Sequence, residues 1–315
     1  MKFGCHLPTY GPHATREHVL AFARQMEELG YDSLWVRDHV ALPWTSRRRY
    51  PYSRISPTGA YPVAPDAPLL EALTTLAVVA GCTERVKLGT TVLVLPHRHP
   101  VLAAKMLATL DHLSNGRVIL GAGVGWLQEE IELFGVPYDR RGAWSDEAIR
   151  LMRACWSEAR VSHHGEFFDV REIACFPQPV ARRIPIWIGG DSPRALRRAA
   201  ELGDGWHPAF ASPAQIEAGL EVLRAECLGV GRRPEDITVT LRAVISFNDN
   251  RPEPRPPLEG KPDQIAADLE RYADLGVRGV VLQTPADDIA QMRETNERVA
   301  REIWPRLSTV GRLSR

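Results

Sequence analysis

The sequence lacks several features that would assign the protein to a class at once. It has no excess of charge of either sign, since Lys+Arg and Asp+Glu both total 39, so nothing indicates a nucleic-acid surface. Its five scattered cysteines form no C-x-x-C pair, which argues against a zinc ribbon or a disulfide framework. No run approaches the ~20 apolar residues of a membrane span, and the N-terminal stretch lacks a signal peptide's apolar core. We therefore expect a cytoplasmic protein that binds neither nucleic acid nor a membrane.

A repeated junction is the main sign of organisation in the chain. In each copy an amphipathic helix ends, Leu-Gly follows, and a short apolar strand begins: "EELGYDSLWV" (27–36), "AELGDGWHPA" (200–209) and "ADLGVRGVVL" (273–282). A left-handed backbone conformation that ends a helix costs glycine little. The pattern therefore predicts that Gly30, Gly203 and Gly276 end helices in this conformation.

Apolar strands alternate with helices along the whole chain. The predicted strands begin near residues 2, 31, 86, 117, 184, 204, 237 and 278, and the helices between them lie at about 15–29, 69–81, 99–114, 127–134, 143–156, 193–202, 213–228 and before Gly276. Eight such strands predict parallel β-α units that close into a (β/α)8 barrel. A doubly wound open sheet is the alternative, but no G-x-G-x-x-G follows the first strand. We expect one domain over 1–307 and a disordered tail over 308–315.

Two insertions interrupt the alternation, one after strand 2 and one after strand 4. Residues 40–68 are rich in Pro, Arg and Tyr and predict a long irregular loop, a kind of segment that is often functional. Because the loop leaves the C-terminal end of strand 2, we expect it to cover the substrate. Residues 138–182 contain a helix and then a predicted hairpin around Gly165.

Polar side chains collect where the predicted strands end, which is where barrel enzymes place their active sites. These positions include His6, Asp38, His39, His97, His99 and His207. A metal site built from His97 and His99 with Asp38 and His39 is one interpretation. Pro100 and the helix after it place His99 at a helix start, where it points away, so we expect no metal.

Two glycine clusters also follow strands. Gly189 and Gly190 precede Ser192, a good N-cap, and Pro193, which suits the first helical position. Free N–H groups at such a helix start attract an anion, and late barrel loops often bind phosphate. The second cluster, "GAGVGW" (121–126), leaves little side-chain bulk at its strand end. Together the clusters predict a flat cofactor that carries a phosphate.

With these residues assembled, the chain resembles the luciferase-like monooxygenase superfamily, in particular its F420-dependent branch. The resemblance covers nearly the whole chain and rests on "LWVRDHV" (34–40), on 86–142, on "IPIWIGGDSPRALRRAAELGDGWHP" (184–208) and on 261–283. It implies a (β/α)8 barrel, usually a homodimer, that holds either the deazaflavin F420 or FMN.

The resemblance also implies roles for individual positions. Asp38 and His39 correspond to the pair beside the cofactor ring, with His39 as the proton donor or acceptor, and Thr91-Val92 corresponds to a non-proline cis peptide behind the ring. Gly123, Val124 and Gly125 would line the ribityl side, and Gly189, Gly190, Ser192 and Pro193 would flank the phosphate. Glu129 aligns with a cofactor-contacting amide of the glucose-6-phosphate dehydrogenases.

One position departs from those dehydrogenases. They carry a catalytic glutamate directly after the glycines of strand 4, and this chain has Trp126 there. The departure argues against sugar-phosphate oxidation and leaves Trp126 as a floor for an apolar pocket. The residues that we predict to contact the substrate are His6, Trp44, His97, Trp126 and His207.

The sequence therefore predicts an F420-dependent oxidoreductase that moves a hydride between the deazaflavin and a small organic substrate. His39, tuned by Asp38, would handle the accompanying proton, since histidine titrates near neutral pH. An FMN-dependent monooxygenase that uses O2 is the first alternative. In either case we expect a separate reductase to supply the reduced cofactor. A barrel that binds a cofactor without catalysis is the second alternative.

Overall fold

The computed structural model describes residues 1–250, 252–284 and 288–308. The strands are β1 Lys2–His6, β2 Ser33–Val36, β3 Lys87–Thr90, β4 Leu93–Val94, β5 Val118–Gly123, β6 Val161–His164, β7 Asp169–Ile173, β8 Ile186–Gly189, β9 Gly205–His207, β10 Thr238–Val244, β11 Ser246–Phe247, β12 Glu259–Gly260 and β13 Gly279–Gln283. The α-helices are α1 Arg16–Leu29, α2 Ala72–Ala80, α3 Pro100–Leu113, α4 Gln128–Leu133, α5 Arg141–Ser157, α6 Pro193–Leu202, α7 Pro213–Gly229, α8 Pro262–Asp274 and α9 Ile289–Arg298.

The fold is a (β/α)8 barrel, as the alternation of strands and helices predicts. Its strands follow the order β3-β2-β1-β13-β10-β9-β8-β5, and β3 also pairs with β5. The parallel register places Lys2 beside Gly279 and Gly4 beside Ser33. In the part of the chain that the structure describes, every helix is too short or too polar to cross a lipid bilayer.

The chain divides into two compact units. One contains Met1–Pro8, Thr15–Trp35 and the described residues of Ile188–Arg315, and the other contains Thr9–Ala14 and Val36–Trp187. The single domain over 1–307 stays a prediction. The predicted tail over 308–315 lies, apart from Ser308, outside the described residues.

Local signals set the ends of the helices. Thr15 caps α1 by accepting a hydrogen bond from the His18 N–H, and Gly30 ends the helix with φ 94°. Gly276 has φ 96°, so the left-handed conformation is confirmed at both positions. The prediction of a left-handed conformation is wrong at Gly203, where φ is −87°. This position has little room instead, since a Cβ atom there would lie 2.9 Å from Cγ1 of Ile188.

Both insertions have the predicted character. Residues 40–68 contain neither helix nor strand, while 138–182 contain α5 and the antiparallel hairpin of β6 and β7 around Gly165. The carboxylate of Glu147 on α5 accepts hydrogen bonds from the N–H groups of Glu166, Phe167 and Phe168. These bonds fix the hairpin to the helix.

Gly219 in α7 allows the helix to pack closely on Trp206, which is fully buried in β9. A Cβ atom on Gly219 would lie 2.2 Å from Cη2 of this indole. We expect Gly219→Ala to lower the free energy of unfolding by roughly 1–3 kcal/mol, the usual cost of overpacking. Gly229→Ala, in the last turn of the same helix with open space around it, should be neutral or stabilising. Urea denaturation compares the two, and equal stabilities would contradict the close contact.

Candidate active site

The chain leaves β2 through Arg37, Asp38 and His39, which are all buried. Arg98 holds the carboxylate of Asp38 with two charge-assisted hydrogen bonds, from Nη1 to Oδ2 at 2.7 Å and from Nη2 to Oδ1 at 2.8 Å. The N–H of Val94 also donates to Oδ2 at 2.9 Å. Burial alone would raise the pKa of Asp38, but His97 and Arg98 beside it lower the pKa to about 2. Asp38 is therefore an ionised anchor that ties the end of β2 to the segment after β4.

His39 pairs with Glu130 in the structure, whereas the sequence reasoning pairs it with Asp38; that Asp38 tunes His39 stays a prediction. The imidazole Nδ1 pairs with Oε2 of Glu130 at 2.6 Å. Asp38 and His39 therefore reach different partners, Arg98 and Glu130. The acid that acts on His39 comes from α4.

Glu130 is a buried carboxylate with both oxygens engaged. Its Oε1 accepts hydrogen bonds from the N–H groups of Val40 at 2.5 Å and Ala41 at 3.0 Å. Burial alone would raise the pKa of Glu130, but the hydrogen bond with His39, the proximity of His39 and His97 and the Val40 N–H hold it below its ordinary value. An ionised Glu130 only accepts, so Nδ1 of His39 carries the proton of this bond. The other ring nitrogen, Nε2, is then the atom that can take up or release a proton.

His97 lies between the two buried acids. Its Nδ1 is 3.7 Å from Oδ2 of Asp38, and its Nε2 is 3.5 Å from Oε2 of Glu130. His97 thus connects the two acids as a buried polar group. His99 accepts a hydrogen bond from the Val101 N–H and caps α3, so it lies at a helix start as the sequence predicts.

Aromatic rings surround the imidazole of His39. The ring centroids of Tyr61 and Trp126 lie 4.8 Å and 6.2 Å from it. Tyr50 packs edge-on against both rings, at 5.2 Å from Tyr61 and 5.3 Å from Trp126. The irregular loop over 40–68 supplies both tyrosines, so this loop covers His39.

Trp44, His6 and His207 are also predicted to contact the substrate. Trp44 is 80% exposed, and its contact with the substrate stays a prediction, while Tyr50 and Tyr61 form the aromatic wall beside His39. In the other unit, His6 is buried in β1. His207 stacks on Trp35 with centroids 5.4 Å apart, and its Nδ1 pairs with Oγ1 of Thr240 at 2.7 Å.

His207 has the electrostatics of a neutral core residue. Burial and the nearby Arg242 lower its pKa to about 3. The ring is therefore uncharged at neutral pH. It is suited to packing and hydrogen bonding rather than to proton transfer there.

The strand-end glycines make room for the backbone. The peptide bond between Thr91 and Val92 is cis, as the resemblance implies. A Cβ atom on Gly123 would lie 2.3 Å from Cγ2 of Val92, so only glycine fits at that position. Gly125 has φ 77°. Val124 lies between these two glycines and is partly exposed.

The predicted phosphate segment forms a regular helix start in the other unit. The hydroxyl of Ser192 accepts a hydrogen bond from the Ala195 N–H, and Pro193 is the first residue of α6. Gly190 has φ 101°, and Gly189 ends β8.

Glu129 interacts with the loop over 40–68. Its Oε1 accepts hydrogen bonds from the backbone N–H of Arg47 at 2.5 Å and from Nε of the same residue at 3.2 Å. Burial raises the pKa of Glu129, but these bonds outweigh it and the pKa falls below its ordinary value. Glu129 therefore fastens the first part of the loop to α4.

Comparison with known proteins identifies the family. The family model described as luciferase-like monooxygenase matches residues 1–258. The protein belongs to the luciferase-like monooxygenase family. An uncharacterized protein of Mycobacterium tuberculosis is 35% identical over 198 residues, which cover 63% of this chain and 67% of the relative.

Two further similarities link this family member to F420-dependent proteins. An F420-dependent glucose-6-phosphate dehydrogenase of Kineococcus radiotolerans is 33% identical over 235 residues, 73% of this chain and 64% of the relative. The solved structure of an F420-dependent secondary alcohol dehydrogenase in complex with an F420-acetone adduct superimposes with a TM-score of 0.77. That similarity covers 97% of this chain and 98% of the other at 17% identity, and it shows the shared barrel fold.

Glu130 is the site residue that sequence reasoning missed. The sequence does carry a signal for it, because Leu127, Glu130 and Ile131 lie on one face of a helix at i, i+3 and i+4. Leu127 and Ile131 are buried. A carboxylate within an apolar helix face needs a buried partner, and here that partner is His39.

Proposed function

We propose that this luciferase-like monooxygenase family member is an F420-dependent oxidoreductase that moves a hydride between the deazaflavin and a small organic substrate. The observation that carries the proposal is the buried pair of His39 and Glu130, with His39 Nδ1 and Glu130 Oε2 2.6 Å apart at the end of β2. The pair leaves one imidazole nitrogen for proton transfer, which a hydride transfer to or from a carbonyl requires. Family membership and the F420-dependent relative support the choice of cofactor.

The chain's own residues fit such a cofactor. The glycines at 123 and 125 let Val92 and Val94 pack closely beside the cis peptide of Thr91 and Val92. These residues, with Val124 and Asp38, would hold the ring and the ribityl chain. The N-terminus of α6, with Gly189, Gly190, Ser192 and Pro193, would hold the phosphate, because helix N-termini bind anions. When bound, the deazaflavin supplies the hydride donor or acceptor.

His39 and its neighbours would do the remaining work. Glu130 keeps the proton of Nδ1 in place, so Nε2 delivers or accepts the substrate proton. Tyr50, Tyr61 and Trp126 exclude water from the imidazole and provide an apolar surface for the substrate. Asp38 and Arg98 fix the backbone from which His39 projects.

Two alternatives remain distinct from this proposal. A family member that uses FMN and O2 would act as a monooxygenase on a similar barrel. A barrel that binds a cofactor without turnover would not need the paired His39 and Glu130. The homodimer, the separate reductase and the cytoplasmic location stay predictions.

Separate fluorescence titrations of the purified protein with F420 and with FMN test the cofactor. We expect micromolar binding of F420 and much weaker binding of FMN. Micromolar binding of FMN with none of F420 would overturn the proposal in favour of the flavin monooxygenase.

Glu130→Gln should slow turnover at least about tenfold while the fold is retained, because the amide no longer fixes the proton on Nδ1 of His39. The pH profile of kcat/KM should also shift, since the variant removes a buried negative charge next to the imidazole. NMR spectra of protein labelled with 15N-histidine follow the tautomer directly and need no substrate. At a pH at which the ring is neutral, wild type should show the Nδ1-protonated tautomer of His39, and the variant a mixture of tautomers.

Glu132→Gln is the matched control in the same helix. Glu132 is more exposed and pairs with Arg47, with 3.1 Å between its Oε2 and Nη2. Glu132→Gln should leave both turnover and the His39 tautomer unchanged. A wild-type tautomer that is retained in Glu130→Gln would remove Glu130 from the positioning of His39.

A further inference from the structure

Arg37 is a buried charge whose hydrogen-bonding capacity is only partly used. The residue is 7% exposed, and its guanidinium lies over the ring of Tyr10 with Cζ 3.8 Å from the centroid. Among the described residues, neither its Nε nor its Nη2 has a hydrogen-bond partner, and both atoms are shielded from solvent. Buried donors of a charged group that lack acceptors are costly. Such a group close to the active site therefore indicates that a bound molecule supplies the hydrogen-bond acceptor.

The surroundings of Arg37 are those of a binding site rather than an ion pair. Burial alone would lower the pKa of Arg37, but Tyr61, Tyr10 and Tyr50 raise it, and Tyr61 also forms a hydrogen bond with the guanidinium. None of the ion pairs among the described residues includes Arg37, so no carboxylate there balances its positive charge. The aromatic rings and the cation together suit a ligand with an apolar body and one negative group.

Arg37 is also coupled to the proton-transfer residue. Arg37 and His39 are two positions apart in the chain, and both side chains are buried. Tyr61 contacts both, through its hydrogen bond with Arg37 and through its ring 4.8 Å from that of His39. A group bound by Arg37 therefore belongs to a molecule that can reach His39.

We propose that Arg37 binds a carboxylate of the substrate, which makes the substrate of the proposed oxidoreductase an organic acid with an apolar or aromatic body. The N–H groups of Nε and Nη2 lie on one edge of the guanidinium, and this edge matches the two oxygens of a carboxylate. One cation balances one monoanion. The loop over 40–68, which carries Tyr50 and Tyr61, must open to admit the acid.

Binding of small acids and their neutral amides tests the proposal by calorimetry without cofactor or turnover, so its outcome is independent of whether F420 binds. The probes are benzoate and phenylacetate, benzamide and phenylacetamide, and inorganic phosphate. Wild type should bind at least one acid at least tenfold more tightly than the matching amide. Arg37→Gln should remove this preference. Arg37→Lys should weaken it, because the lysine ammonium keeps the positive charge but lacks the two coplanar N–H donors of the guanidinium.

Arg49→Gln is the matched control, an arginine of the loop over 40–68 that is exposed and donates to the carbonyl of Thr58. It should keep the acid preference of wild type. Circular dichroism establishes that each variant is folded. If Arg37→Gln does not fold, Tyr61→Phe, which removes the hydroxyl beside the guanidinium, should still weaken acid binding. No preference for either acid in wild type, equal acid binding by Arg37→Gln and Arg49→Gln, or tighter binding of inorganic phosphate than of both acids would overturn the proposal.

Discussion

His39→Ala is expected to slow turnover about 10²-fold or more, the scale of general acid–base catalysis. The substitution removes the imidazole whose Nδ1 is fixed by Glu130 at 2.6 Å. The affinity for F420 should change little, because His39 is not among the residues proposed to hold the cofactor. Anaerobic turnover of F420 with a substrate found by screening, together with fluorescence titration, separates the two effects.

His112→Ala provides the control for this prediction. His112 is an exposed histidine in the last turn of α3, and Arg98 precedes the first turn of the same helix. The His112→Ala variant should retain wild-type turnover. Wild-type turnover of His39→Ala would exclude His39 as the proton carrier, and a large loss of cofactor affinity would assign it to binding instead.

Arg98→Ala is expected to lower the free energy of unfolding by roughly 3–5 kcal/mol, because it leaves a buried carboxylate without its partner. Asp38 accepts two hydrogen bonds from Arg98, at 2.7 Å and 2.8 Å, and Arg98 also contacts Glu71 at 2.6 Å. Chemical denaturation at pH 7 measures the effect. Arg197→Ala, which breaks an exposed i,i+4 pair with Glu201, should cost no more than ~0.5 kcal/mol.

The pH dependence tests whether the ionised carboxylates that Arg98 contacts, Asp38 and Glu71, are the source of this effect. The pKa of Asp38 is about 2 in the folded protein against an ordinary value of 3.8. A lowered pKa contributes stability that is present above pH ~4 and is lost as the pH falls towards 2, here about 2 kcal/mol. The difference in the free energy of unfolding between wild type and Arg98→Ala should therefore become smaller as the pH falls from 5 to 2. A difference that stays constant over this range would contradict the assignment.

The sequence predicts most of the barrel because its signals are local. Helical periodicity, N-caps such as Ser192 and helix-ending glycines such as Gly30 depend on residues a few positions apart. Gly203 shows the limit of this reasoning. Its place after a helix is the same as that of Gly30, but packing against Ile188 explains why glycine is needed there.

The candidate site was only half predictable, because its central contact joins distant segments. The sequence identifies Asp38 and His39 as site residues but pairs them with each other. In the structure Asp38 binds Arg98, and the partner of His39 lies 91 positions away on α4. Tyr61 could not be located either, since it belongs to an irregular loop whose path follows no periodicity.

A crystal structure of the protein with F420 tests the central claim most directly. The account predicts that the deazaflavin ring contacts Thr91 and Val92, that its phosphate lies at the N-terminus of α6, and that His39 faces the ring while it keeps its hydrogen bond with Glu130. F420 bound away from His39, or a ring whose binding breaks the pair of His39 and Glu130, would contradict the account.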